Sequence, residues 1–301
     1  MMSAVNIIAQ GVLLGGYYAL IASGLSLMFG VMRIINLAHG DLAVLAAFLV
    51  SAITGYFDIS PFLALAAALP AMAVLGWLLQ SVILERTLRS SALVPLLATF
   101  GLSITLENLL FEFFGADTRS LGDSIGDLVF DSFEITNQFS ISYLGALIFA
   151  LAVVLLGGLT LFLKYTSLGR AIRATAQDSD MAELVGVNAR TVYAVAAAIA
   201  ATTVALAGAM MAMRATFDPY SGPMQLIFAF EAIVIGGVGS LWGTLIGGVI
   251  LGCAQTLGAS LDPKWFLLAG HSTFLLWLGG RLANNRARAR GGFVAILGLG
   301  R

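Results

Sequence analysis

The chain has 301 residues, 59% hydrophobic and 10% charged, with a formal net charge of −1 and a mean hydropathy of +0.97. A soluble domain carries about 25% charged residues, so this chain cannot cover itself with groups that water solvates. Most of its surface must face lipid or other membrane-embedded subunits, and its single cysteine, Cys253, excludes a disulfide framework or a cysteine-rich metal site.

Apolar runs of roughly 17–25 residues recur along the chain, as expected of spanning helices, which need about 20 residues at about 1.5 Å each. The short alternating segments of a membrane β-barrel are missing from the sequence. The expected fold is all-α, a polytopic membrane helical bundle of about 7–8 transmembrane helices plus a broken, re-entrant glycine-rich segment, in one domain over residues 1–301. Spans are predicted at 4–29, 41–57, 62–84, 93–114, 140–163, 193–214 and 264–280, with the glycine-rich segment at 225–258. The start, MMSAVNIIAQG, lacks a basic leader region and a clear cleavage site, so the first apolar stretch is expected to be retained.

Between the first two spans, FGVMRIINLAHGDLAVLAAF places Arg33, Asn36, His39 and Asp41 close together in a region otherwise fit for lipid. Arg33 can snorkel to headgroups. Asp41 is placed to cap the second span, where negative charge suits a helix N-terminus. Asn36 and His39, three apart, share a face if both are helical. The favoured reading for them is a structural network that closes the inner end of a pathway; direct substrate contact is the alternative. In the fourth span, Thr99, Ser103, Glu107 and Leu110 fall on one helical face. Hydrogen bonding between helices explains the hydroxyls, while Glu107 needs a partner or water and is a pathway candidate.

Loops rich in Lys and Arg stay in the cytoplasm. Arg86 and Arg89, then Lys164, Arg170, Arg173 and Arg190, then Arg281, Arg286, Arg288, Arg290 and Arg301 mark three basic segments, whereas 115–139 is acidic. The tail at 281–301 is therefore predicted to be cytoplasmic, 115–139 external, and the N-terminus external. The loop at 164–192 is too long for a minimal turn. SLGRAIRATA reads as a basic amphipathic helix at the membrane face, and DSDMAELVGV as a second short helix, with Asp178 or Ser179 to cap it and Gly186 to end it. Such a loop fits a docking surface for a cytoplasmic partner, or a surface loop whose arginines anchor to anionic headgroups.

Within 225–258, neither 225–237 nor 244–258 comfortably spans a bilayer, and Gly236, Gly237, Gly239 and Gly243 surround GGVGSLWG. Two short helices entering from outside and turning back there would line a cavity; close helix packing through small residues is the plainer reading. Glu231 lies one turn earlier and is a functional-site candidate if it sits at depth. No GxxxxGK[ST] occurs, and the only lysines are Lys164 and Lys264, so ATP must be bound by another chain. No zinc motif or nucleophile motif accompanies His39 and His271. The arginine-rich RLANNRARAR fits anionic lipid rather than nucleic acid.

Three stretches carry a resemblance. GLSLMFGVMRIINLAHGDL, GRAIRATAQDSDMAELVGVN and IVIGGVGSLWGTLIGGVILG resemble, in order and spacing, segments of branched-chain amino acid ABC transporter permeases of the Liv H-subunit type. The similarity implies a permease subunit in the bacterial cytoplasmic (inner) membrane, with no cofactor of its own. Its implied partners are a second related permease of M type, two cytoplasmic ATP-binding subunits and an external substrate-binding protein. The loop is similar to the family's ATPase-coupling helix, which carries that role to Asp178, Glu183, Gly186 and Asn188; MAELVG departs from the fuller Glu-Ala-Ala pattern of many ABC permeases. Urea or short-amide import remains an alternative substrate class, and a stand-alone channel or secondary transporter is an alternative of another kind.

Overall fold

The computed structural model describes residues 4–88, 93–136 and 139–296, so Arg89 and Arg301 of the basic segments lie outside the described residues. In chain order the helices are α1 (Ala4–Met32), α2 (His39–Phe57), α3 (Pro61–Leu79), α4 (Leu93–Phe114), α5 (Tyr143–Tyr165), α6 (Ser167–Gln177), α7 (Ser179–Leu184), α8 (Ala189–Arg214), α9 (Gly222–Gly236), α10 (Leu241–Leu261) and α11 (Trp265–Ile296). A π-turn over Gln80–Leu84 extends α3 to Thr87. Among the described residues, seven helices are long and apolar enough to cross a membrane: α1, α2, the extended α3, α4, α5, α8 and α10.

Two expectations need correction. The second half of the glycine-rich segment is the 21-residue α10, which spans by itself; only α9, with 15 residues, is short. The expected last span at 264–280 is helical, but α11 carries His271, Ser272, Thr273 and Arg281 and is not among the seven. Outside the helices, β1 (Ser132–Thr136) and β2 (Phe139–Ser142) pair antiparallel, with a register irregularity between Glu134 and Thr136. This hairpin is the exception to an all-α reading, and it marks one end of the molecule; α6 and α7 mark the other.

Helix starts follow local chemistry. The side chains of Ser60, Ser142, Thr166, Asp178, Asn188 and Ser240 each accept a backbone N–H in the first turn of the helix that follows. Each satisfies a donor that the helix cannot. The break between α9 and α10 uses Gly237 and Gly239, at φ +97° and +81°, conformations that side-chain-bearing residues rarely adopt.

The centre of the bundle is α1, buried without interruption from Leu14 to Met28 and apolar around its circumference. It runs antiparallel to α10, with Gly11 and Gly15 facing Gly248 and Gly252. A Cβ on Gly15 would stand 2.6 Å from the Val249 nitrogen, and one on Gly248 would stand 2.5 Å from the Gly15 carbonyl oxygen. Without a hydrophobic drive between helices in lipid, such close approach supplies the attraction. A second, smaller core of Leu27, Val31, Leu84, Ile172 and Val192 seats α6 on the ends of α1, α3 and α8.

Gly248→Val is expected to destabilise the chain by about 1–3 kcal/mol through overpacking, whereas Gly101→Ala, with no atom within 4 Å of its added carbon, should be neutral. Thermal unfolding of the two purified variants in detergent checks the contrast.

Candidate functional site

A chain running out of α1 would be expected to leave the membrane, but residues 33–38 fold back into it. Arg33 is exposed and takes φ +56°, a left-handed conformation that reverses the path. Asn36 is buried in this irregular segment: its Oδ1 accepts the Ala38 N–H at 3.1 Å and its Nδ2 lies 4.0 Å from Met28 Sδ. Asn36 therefore precedes α2 and does not share a helical face with His39, because the segment spends its backbone on the turn instead. His39 opens α2, and its Nε2–H donates to the Ile21 carbonyl, midway along α1, at 2.8 Å.

Asp41 sits at similar depth, only 1% exposed, and not at a membrane surface. Its Oδ2 accepts the Ser103 hydroxyl at 2.5 Å, and Ser103 lies halfway along the 22-residue α4, about 16 Å from either end. Its other oxygen, Oδ1, has no hydrogen-bond partner among the described residues. Gly222, the first residue of α9, lies directly against this carboxylate, and Gly40 lies against the Gly222 carbonyl. Two helix N-termini, those of α2 and α9, thus converge on one acid. Their positive ends and the Ser103 hydroxyl compensate its charge, with no Lys, Arg or His side chain in an ion pair with it among the described residues.

On α4, Thr99, Ser103, Leu106 and Leu110 turn inward, while Glu107 is half-buried and Asn108 and Glu112 are exposed. The shared face predicted for Ser103 and Glu107 splits accordingly. Ser103 is bonded to the core and Glu107 stands at its edge.

A second polar group lies between α1, α9, α10 and α11. Glu231 is buried, and its Oε1 accepts from His271 Nδ1 at 2.6 Å; the His271 side chain is 38% exposed. Phe228 stacks beside His271 and also against Tyr18. The Tyr18 hydroxyl bonds Gln255 Oε1, and the Tyr17 hydroxyl donates to Gln225 Oε1 at 2.6 Å. The site candidates in the sequence do not include His271, Gln225 or Gln255. One signal was available: a buried acid needs a partner, and His271 is the only histidine besides His39. Gly236 and Gly243 pack backbone to backbone across the α9–α10 turn, with Gly237 and Gly239 forming the turn itself.

The residues of the long loop lie apart from both groups, at the α6–α7 end. Asp178 caps α7, accepting the N–H groups of Asp180 and Met181 at 3.0 Å each. Gly186, at φ +87°, ends the turn after α7, and Asn188 caps α8. Asp178, Glu183, Gly186 and Asn188 are all exposed. So are three apolar side chains of the same knob, Met181 at 61%, Leu184 at 79% and Val185 at 78%. Beside the knob, Arg190 pairs with Glu85 at 3.1 Å, which ties α8 to the end of α3.

Residues 7–268 match the family described as branched-chain amino acid transport system / permease component. The high-affinity branched-chain amino acid transport system permease protein BraD of Pseudomonas aeruginosa is 32% identical over 265 residues, covering 84% of this chain and 86% of BraD. The corresponding permease protein LivH of Salmonella typhimurium is 33% identical over 261 residues, covering 83% of this chain and 84% of LivH. LivH of Escherichia coli is 32% identical over 262 residues, with the same two coverages of 83% and 84%.

Ser103→Ala removes the only side-chain donor to the Asp41 carboxylate among the described residues and should cost about 1–3 kcal/mol, the penalty for an unsatisfied buried group. Ser103→Thr, which keeps the hydroxyl, should lose much less. Melting curves of the two variants in one detergent read the difference.

Proposed function

The chain belongs to the branched-chain amino acid transport system permease family, and on that premise we propose the following assembly and substrate. It is the membrane subunit of an ABC importer for branched-chain or related small amino acids, driven by ATPases on separate chains. A second related permease, two ATP-binding subunits and an external substrate-binding protein complete the machine. In this reading the α6–α7 end is cytoplasmic, as Lys164, Arg170, Arg173 and Arg190 favour, and the start of α1 and the hairpin face outward.

The observation that carries the proposal is the knob at α7. Met181, Leu184 and Val185 expose large apolar side chains beyond the ends of the spanning helices. A short, doubly capped helix that presents apolar residues to water is suited to a groove on a soluble partner. Asp178, Gly186 and Asn188 fix its shape, and Glu183 stands on its outer side. The polar side chains of α4, the exposed Asn108 and Glu112 with the half-buried Glu107 beside them, would meet lipid in an isolated chain. They support a second permease or a water-filled pathway on that side. Asn36, His39, Ser103 and Glu231 hold the interior next to these side chains or between α1 and α11, as gate residues that position helices.

Reconstitution into proteoliposomes with the partner permease, ATPases and binding protein is expected to give leucine uptake that requires ATP. Uptake that persists without ATP or without the ATPases would overturn the proposal, and uptake of urea or acetamide in place of leucine would overturn the substrate class. Leu184→Glu should reduce ATPase co-purification at least about tenfold, the equivalent of one lost contact of about 1.4 kcal/mol, while leaving the chain in the membrane. Unchanged co-purification would remove α7 as the docking element.

A further inference from the structure

We propose that a groove between α5, α6 and α10, at the α6–α7 end, binds the phosphate headgroup of an anionic membrane lipid. The groove encloses about 600 Å³. Its floor is apolar, formed by Leu27 and Val31 of α1 and Ile172 of α6, and its rim carries Lys164, Arg173, Thr160 and Ser240. No Asp or Glu lines it. Among the described residues, the ion pairs are Arg190 with Glu85 and His271 with Glu231, so neither cation of the groove is neutralised by a carboxylate.

Both cations are held in place by local contacts that leave their charge available. The Lys164 ammonium lies 5.1 Å from the centre of the Tyr165 ring. Arg173 spends one N–H on the Lys164 carbonyl at 3.5 Å, with the other guanidinium donors remaining. The first turn of α10 opens into the same space through Ser240, Leu241 and Trp242, and the positive end of its dipole faces that space.

Position selects lipid over a free anion. Val31 is one residue from the end of α1, Lys164 one from the end of α5, and Leu241 begins α10. The groove therefore lies where the apolar lengths of three helices stop, at headgroup level. Trp242 reaches across toward α5 at Gly157, closing the side of the groove. Next to the groove, α5 and α10 expose Leu161 and Ile246, apolar surface that acyl chains can follow. Basic pockets between spanning helices at this level suit anionic headgroups.

The test titrates the purified full chain with short-chain phosphatidylglycerol, with phosphatidylcholine of the same chain length, and with inorganic phosphate, reading the thermal midpoint. Phosphatidylglycerol should raise the midpoint by about 5 °C near saturation, and the other two should not. The shift should vanish in Lys164→Gln/Arg173→Gln and survive in the charge-conserving Lys164→Arg/Arg173→Lys. It should also survive in Arg33→Gln/Arg86→Gln, which removes two other cations. A full shift in the first variant, an equal shift with phosphatidylcholine, or loss of the shift in the Arg33 and Arg86 variant would each overturn the site. Inorganic phosphate reproducing the shift would overturn the lipid assignment in favour of a small-anion pocket.

Discussion

A helix that starts inside a membrane brings N–H donors to a place where no bulk water can satisfy them, and this requirement organises the bundle. Both α2 and α9 begin at mid-depth. One carboxylate, that of Asp41, stands at the two starts, and the contact of Gly40 with Gly222 lets them come close enough to share it. His39 ties the same point to α1 through the Ile21 carbonyl, and Ser103 ties it to α4. Four helices are thereby fixed at one buried junction by groups carrying a single formal charge.

The rest of the bundle differs in how firmly it is held. The α1–α10 seam is built from facing glycines with backbones nearly in contact, a geometry with little room to slide. The attachment of α4 is lighter, resting on the Ser103–Asp41 bond, on Phe114 stacked against Phe48 and on the inward Leu106 and Leu110. At the other end, α6, which leads into the knob, sits on the smaller core over α1, α3 and α8. The long α8 then runs up the molecule, with Ala197 and Ala201 against Gly76 and Gly208 against Ala43. A push on the knob therefore has a packed route to the helix that carries Asp41.

What could be read from the sequence was local or compositional. Membrane residence follows from composition, and Asp178 and Gly186 announce the limits of α7 because caps and left-handed glycines act within a few residues of themselves. The glycines at 237 and 239 likewise mark the turn after α9. Depth could not be read in this way. Asp41 looks like a surface cap until Ser103, sixty-two positions later, is seen to meet it. The pairing of Glu231 with His271 depends on how α9 and α11 lie side by side. The length of α10 was missed because its glycines resemble breaks, whereas they serve as contact points against α1. Periodicity reports which face is apolar, not which helix covers it.

The position of α1 has a consequence for biogenesis. It is made well before α10, yet it ends as the most enclosed, with Ser26 hydrogen-bonded to Thr244 across 218 residues of chain. At about 5–20 residues per second, it waits on the order of 10–40 s in lipid before its closest partner is made. Its glycine-lined flank stays open for that interval. Chains truncated before α10 retain that open flank permanently.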